Sequence, residues 1–180
     1  MTLRRRTLVT GGVRSGKSRH AEGLLADEAR VTYVAPGLSP DPAADPEWAA
    51  RVAKHRLRRP PHWSTVETAD VAAALSTGDP AYLVDSLGTW VSAVVDELGT
   101  WEVPLAHWQP DFDARLAALV AAWAAAPGRL VAVTNEVGWG LVSEHRSGRV
   151  FTDLLGQANA AVAAASDDVV LLVAGRPLVL

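Results

Sequence analysis

Two hydrophobic rhythms alternate along the chain. Thr7-Leu8-Val9-Thr10, Val31-Thr32-Tyr33-Val34-Ala35, Ala81-Tyr82-Leu83-Val84-Asp85, Leu130-Val131-Ala132-Val133-Thr134 and Val169 to Ala174 are short apolar runs. Their β-branched content and bounding Gly, Pro or polar residues predict strands buried on both faces. Between them the apolar residues take up helical spacing. Ala21, Leu24, Leu25 and Ala29 form one such set, and Leu87, Trp90, Val91, Val94, Val95 and Leu98 a second. Phe112, Leu116, Leu119, Val120 and Trp123 make a third, and Phe151, Leu154, Leu155, Ala158 and Val162 a fourth. Glu47 to Leu57 is compatible with a helix, Trp63 to Glu67 has strand propensity, and Val71 to Leu75 fits a short helix. Leu178 to Leu180 adds an edge strand after the Gly175-Arg176-Pro177 turn.

Strands separated by helices predict an α/β fold, a mostly parallel sheet flanked by helices, because right-handed crossovers place helices on both faces. The predicted unit is a single domain over residues 1–180, long enough to bury one core. Ligands of such sheets gather at the carboxyl ends of the strands. Pro36, Asp85 and Glu136 fall at such ends and are expected to share a crevice. The Pro-, Asp- and Ala-rich loop from Leu38 to Pro46 is expected to border it. Gly99 to Pro110 reads as a loop carrying Trp101 and Trp108, and Gly138 to Gly148 as a mobile one.

Composition narrows the class. A hydrophobic fraction of 49% and a charged fraction of 21% in 180 residues are those of a soluble globular protein. The net charge of −3 gives no general case for nucleic acid, and Arg4-Arg5-Arg6 reads as a solvated cap on the first strand. Cysteine is absent, which excludes disulfides and zinc–thiolate sites. No apolar segment approaches the roughly twenty residues needed to cross a bilayer, and the basic start lacks the apolar run of a signal peptide. A cytoplasmic enzyme is expected.

Between the first strand and the first helix lies Gly11-Gly12-Val13-Arg14-Ser15-Gly16-Lys17-Ser18, which fits G-x-x-x-x-G-K-[ST]. Strand, glycine-rich turn and helix are the context this phosphate-binding pattern requires. The glycines allow a tight turn whose N–H groups point inward, an anion nest at a helix N-terminus. Lys17 can reach the outer phosphates, and the Ser18 hydroxyl can ligate Mg²⁺. Binding of a nucleoside triphosphate is the expectation. Asp85, a carboxylate at a strand end, can sit near the same Mg²⁺.

A second stretch runs from Arg51 to Glu67. Arg51, Lys54, Arg56, Arg58 and Arg59 surround His55 with positive charge. Such cations attract a triphosphate and disfavour imidazolium, and a neutral imidazole is a good nucleophile toward phosphorus. The same run also reads as a solvated helix face with an incidental histidine, and both readings stand on these residues alone. His20, His62, His107 and His145 make no metal-ligand spacing with His55.

Taken together, Gly11 to Glu22, Tyr33-Val34-Ala35, the Arg51 to Glu67 stretch, Asp85, Thr134-Asn135-Glu136-Val137-Gly138-Trp139-Gly140 and Arg149 to Asn159 resemble the bifunctional adenosylcobinamide kinase / adenosylcobinamide-phosphate guanylyltransferase family. The phosphate loop is common to many NTPases. Spaced His55, Arg59-Pro60, Trp63 and Glu67, followed by Asn135-Glu136-Val137-Gly138, are far more specific. The resemblance implies a RecA-like P-loop NTPase fold, a homotrimer, ATP and GTP as substrates, and adenosylcobinamide and its phosphate as acceptors. It implies phosphorylation of the corrinoid, then transfer of GMP through a histidine that falls on His55. Nucleotide-binding positions map to Gly11, Gly12, Val13, Arg14, Ser15, Gly16, Lys17 and Ser18, to Ala35-Pro36-Gly37, to Arg56, Leu57, Arg58 and Arg59, and to Glu67 and Asp85. Asn135 and Glu136 are expected to support the site. The chain departs from the family pattern at Ser143, Thr152 and Ala160, and Asp85 is one methylene shorter than the glutamate of some members. A guanylyltransferase-only member, a plain small-molecule kinase and a nucleotide-binding regulatory module are the competing readings. No nucleic-acid motif accompanies the basic cluster. Of Trp101, Trp108 and Trp139, core or subunit packing is expected before contact with the corrinoid.

Overall fold

Every apolar run named above becomes a strand of one sheet in the computed structural model, which describes residues 4–37 and 43–180, with Trp48 and Arg51 described in backbone only. The strands are β1 (Arg6–Gly11), β2 (Thr32–Ala35), β3 (Ser64–Glu67), β4 (Ala81–Asp85), β5 (Arg129–Val133), β6 (Asp168–Val173) and β7 (Arg176–Val179). They make a seven-stranded sheet in the order β3-β2-β4-β5-β1-β6-β7. All neighbours are parallel except β6 and β7, which form an antiparallel hairpin. The helices are α1 (Lys17–Leu24), α2 (Pro46–Arg58), α3 (Val71–Leu75), α4 (Leu87–Leu98), α5 (Gln109–Ala125) and α6 (Arg146–Ala164).

The pleat divides the core into two layers, since successive strand residues face opposite sides. Leu8, Tyr82, Val84, Leu130 and Ala132 pack with Val71, Trp90, Phe112 and Leu154 of α3, α4, α5 and α6. Val9, Tyr33, Leu83, Val131, Val133 and Leu172 pack with Ala21 of α1, Leu25 and Trp63. Trp90 and Phe112 meet with ring centroids 5.6 Å apart, a tilted pair within the first layer.

Several boundaries differ from the sequence expectation, each for a local reason. Helix α1 ends at Leu24, so Ala29 lies beyond it. Helix α5 starts at Gln109, with Pro110 inside its first turn, where a missing N–H costs nothing. Helix α6 starts at Arg146, ahead of Phe151. The loop before α5 holds a short 3-10 turn, Leu105–His107, and Trp108 is buried with its indole N–H donating to the Val103 carbonyl at 3.1 Å. Core packing therefore claims Trp108, while Trp139 is 74% exposed. Residues 38–42 of the loop expected to border the site lie outside the described residues.

The basic run at the amino terminus is a solvated cap only in part: Arg4 and Arg5 are exposed. Arg6 is buried on β1, an interior strand of the sheet, and burial lowers its pKa. Its guanidinium donates to the carbonyls of Trp123 at 2.6 Å, Ala124 at 2.5 Å and Ala126 at 3.2 Å, and Arg4 also reaches the Ala124 carbonyl. These carbonyls belong to the last turn of α5, which has no intrahelical donors left for them and carries the negative end of the helix dipole. Arg5 instead pairs with Asp168 through two hydrogen bonds, of 2.5 and 2.8 Å.

Candidate functional site

Parallel strands deliver their carboxyl ends to one edge, so Gly11, Ala35, Glu67, Asp85 and Val133 all reach the same rim of the sheet. The phosphate loop leaves β1 at that rim and enters α1 at Lys17. Lys17 is buried, and its Nζ donates to the Gly12 carbonyl at 2.9 Å. The Ser15 hydroxyl is also buried and has no hydrogen-bond partner among the described residues. An ammonium folded onto its own loop and an orphaned hydroxyl are what an anion entering the loop would engage. Val13 and Arg14 are exposed, and Ser18 is half-buried.

Close backbone approaches set the loop's shape. Gly11 has φ +146°, and a Cβ there would lie 2.5 Å from the Leu172 carbonyl oxygen of β6. On the far side the β6–β7 turn, Ala174-Gly175, has positive φ at both residues, the type I′ geometry of a tight hairpin. Its Gly175 N–H donates to the Ser15 carbonyl at 2.9 Å. The carboxy-terminal hairpin thus braces the phosphate loop directly.

The end of β5 forms the next part of the rim. Thr10 donates its hydroxyl to Glu136 Oε1 at 2.8 Å, and the Glu136 N–H reaches the Gly11 carbonyl at 3.4 Å. Asn159 of α6, itself buried, accepts from the Thr134 hydroxyl at 2.6 Å and donates to the Asn135 carbonyl at 3.0 Å. Asn135 and Glu136 are therefore held against the phosphate loop from behind. The loop that follows is pinned as well, because Arg149 donates to the Ser143 and Glu144 carbonyls and Arg146 to those of Trp101 and Val103.

On the other flank His55, half-buried on α2, places Nδ1 4.0 Å from Asp85 Oδ2. Tyr33 donates its phenol to the same Oδ2 at 2.9 Å. Burial, and next the Asp85 charge, push the Tyr33 pKa far up, so the phenol remains a donor. Arg59 lies over the Tyr33 ring with its guanidinium carbon 3.3 Å from the centroid, and its Nη1 donates to Thr65 at 3.1 Å. The Arg59 Nε is buried with no hydrogen-bond partner among the described residues. Tyr33 is among the residues that carry the family resemblance, but the sequence pattern assigned its hydroxyl no role.

The cations expected around His55 are distributed differently from a uniform cluster. Arg56 pairs with Glu67, and Arg58 Nη2 with Glu22 Oε1 at 2.8 Å. Leu57 is 88% exposed, Lys54 is exposed, and the side chain of Arg51 lies outside the description. Pro36 is buried at the end of β2, and a Cβ on Gly37 would meet Thr89 at 3.5 Å. Among the described residues no group of three His, Cys, Asp or Glu side chains could hold a metal ion. Hard oxygen donors are nonetheless present in the Ser18 hydroxyl and the Asp85 carboxylate. That sparse set suits Mg²⁺, which keeps waters and takes substrate phosphates as ligands.

The cobinamide kinase / cobinamide phosphate guanyltransferase (CobU) family profile matches residues 7–180. The bifunctional adenosylcobalamin biosynthesis protein CobU of Salmonella typhimurium is 40% identical over 93% of this chain and 95% of its own. Its Escherichia coli counterpart is 39% identical over the same shares, and CobP of Pseudomonas aeruginosa is 34% identical over 96% and 95%. An ATPase from the type III secretion system of pathogenic bacteria shares the fold at a TM-score of 0.57 and 12% identity, covering 94% of this chain and 52% of that one. The sheet and loop are those of an α/β P-loop NTPase, and among the described residues no helix is long and apolar enough to cross a membrane.

Proposed function

We propose a mechanism from one premise: the chain belongs to the cobinamide kinase / cobinamide phosphate guanyltransferase family. It is a bifunctional transferase of cobalamin biosynthesis, phosphorylating adenosylcobinamide and then transferring GMP from GTP to adenosylcobinamide phosphate, giving adenosylcobinamide-GDP and pyrophosphate. We assign both steps to one catalytic domain, acting in the cytoplasm as a homotrimer.

In the kinase step the loop from Gly11 to Ser18 cradles the triphosphate of ATP or GTP. Lys17 exchanges the Gly12 carbonyl for the outer phosphates, and the Ser15 hydroxyl gains the acceptor it lacks. Ser18 and the Oδ1 of Asp85 would hold Mg²⁺, which supplies charge neutralisation on the phosphates when bound. Glu136, fixed by Thr10 and supported by Asn135, lines the acceptor side. The aminopropanol hydroxyl then forms an O–P bond to the γ-phosphorus and gives up its proton to solvent, as the bond from the γ-phosphorus to the β–γ bridging oxygen breaks and the nucleoside diphosphate leaves.

In the second step the His55 imidazole attacks the α-phosphorus of GTP. An N–P bond forms, the bond from the α-phosphorus to its bridging oxygen breaks, and pyrophosphate leaves. A phosphate oxygen of adenosylcobinamide phosphate then attacks the same phosphorus, and the N–P bond breaks to restore His55. Ala35 to Gly37, Arg56 to Arg59 and Glu67 bind the nucleotide along the flank that carries His55.

One observation carries this reading: His55 Nδ1 stands 4.0 Å from the strand-end carboxylate of Asp85, on the rim that bears the phosphate loop. The test is incubation with GTP, Mg²⁺ and pyrophosphatase, denaturation, and peptide mass spectrometry at mildly alkaline pH. A GMP-sized increase on the His55 peptide is expected, absent from His55→Ala while corrinoid phosphorylation persists. GTP binding without any adduct would remove His55 from the mechanism and leave a plain kinase.

A further inference from the structure

We propose that Tyr33 is a positioning residue for guanylylation: it clamps Asp85 so that His55 offers Nε2, and not Nδ1, to the α-phosphorus. The inference rests on His55 being the nucleophile and concerns what aims it.

The register of the sheet makes the clamp possible. Tyr33 on β2 stands opposite Leu83 on β4, and Asp85 lies two residues further along β4 on the same face. The phenol therefore extends along the sheet and meets Asp85 Oδ2 at 2.9 Å. A carboxylate at a strand end has two soft torsions and swings unless something holds it. Here the oxygen held by Tyr33 is also the oxygen that faces His55 Nδ1 at 4.0 Å.

The chemistry needs that restraint. A neutral imidazole carries its proton on one nitrogen and its nucleophilic lone pair on the other, and the partner of the first decides which is which. An acceptor facing Nδ1 selects the Nδ1–H tautomer and leaves the lone pair on Nε2. When Nε2 bonds to phosphorus, the ring becomes cationic with its proton retained on Nδ1, and the fixed carboxylate stabilises that charge. Release of GMP to the acceptor returns the electron pair to Nε2. No proton has to move in either half. A modest inward shift of α2 from 4.0 Å to hydrogen-bonding distance would complete the contact.

Arg59 restrains the clamp in turn. Its guanidinium carbon sits 3.3 Å from the centre of the Tyr33 ring and is held there by the bond to Thr65, so the phenol cannot swing off Asp85 without disturbing that contact.

Tyr33→Phe keeps the ring and removes only the hydroxyl. Single-turnover formation of the His55 adduct should slow about tenfold. The KM for GTP should stay within about twofold, and corrinoid phosphorylation, which uses Asp85 for Mg²⁺ but not the imidazole, should fall by clearly less than adduct formation. A variant that folds with an unchanged unfolding midpoint and forms adduct at the wild-type rate would overturn the proposal. So would a parallel loss of both activities, the mark of a merely structural tyrosine. Absence of adduct from the wild-type enzyme would instead overturn the nucleophile assignment beneath it, so the two failures are separable.

Discussion

Replacing Gly11 by alanine sets two costs on the place where strand, phosphate loop and C-terminal hairpin meet. The backbone there has φ +146°, a conformation nearly confined to glycine, and holding alanine in it costs about 1–3 kcal/mol. The added Cβ would also lie 2.5 Å from the Leu172 carbonyl oxygen and 3.0 Å from Ser15 Oγ. Backbone cannot swing aside as a side-chain tip can, and Leu172 is paired to Gly11 in the ladder between β1 and β6. Relieving the overlap must spread those strands, an overpacking cost of a further ~1–3 kcal/mol. Together Gly11→Ala should lose about 2–6 kcal/mol, read as a lower midpoint in urea unfolding at unchanged slope. Gly12→Ala is the control, because φ at Gly12 is not positive and a Cβ there meets nothing within 4 Å. Its expected cost is below about 1 kcal/mol. If the two variants unfold at the same midpoint, the close approach of β6 to the phosphate loop is not what fixes residue 11 as glycine.

Two further predictions concern parts of the fold remote from the chemistry. Arg6→Met keeps an apolar stem but removes the three bonds that Arg6 gives the last turn of α5, leaving only Arg4 on the Ala124 carbonyl, and should cost about 2–4 kcal/mol in equilibrium unfolding; a change under ~0.5 kcal/mol would mean that water replaces the guanidinium. Asp168, held below the usual carboxylate range chiefly by its hydrogen bond from Arg5, adds acid sensitivity. The unfolded chain binds this proton more tightly than the folded one, so stability is present above the ordinary carboxylate pKa and drains as pH falls through the lowered one. Asp168→Asn should flatten that part of the pH–stability curve, and an unchanged acid limb would exclude the pair as a contributor.

The readable parts of this protein are the ones whose signals are local. The phosphate loop announces itself because nest, lysine and hydroxyl lie within one turn of chain. The sheet announces itself because apolar runs and helical stripes alternate, and that alternation also predicted which ends carry Pro36, Asp85 and Glu136. What escaped depends on partners far apart in sequence. Arg6 looked like surface charge because its acceptors, the carbonyls of Trp123, Ala124 and Ala126, come from the other end of the fold. Pro110 looked like a loop's end when it is a helix's beginning. Tyr33 was legible as a residue of the family pattern, but its role was not. Its hydroxyl matters only through the strand register that places Asp85 beside it and the stacking of Arg59, neither of which has a sequence signature.

The strand order also dictates a schedule for biosynthesis. Strand β1 and the phosphate loop are synthesised before every other element, yet their neighbours in the sheet are β5 and β6. Val9, for example, pairs with Val133 and Val170. At roughly 5–20 residues per second, the ribosome needs on the order of ten seconds to supply both partners. During that interval an apolar strand with two open edges waits, while β2 and β4, which pair with each other, can already associate. Folding with contacts this distant along the chain is intrinsically slow. The nucleotide-binding loop, translated well ahead of the strands that flank it, is therefore among the last parts of this fold to take shape, and a chaperone's hold on the nascent chain would matter most at β1.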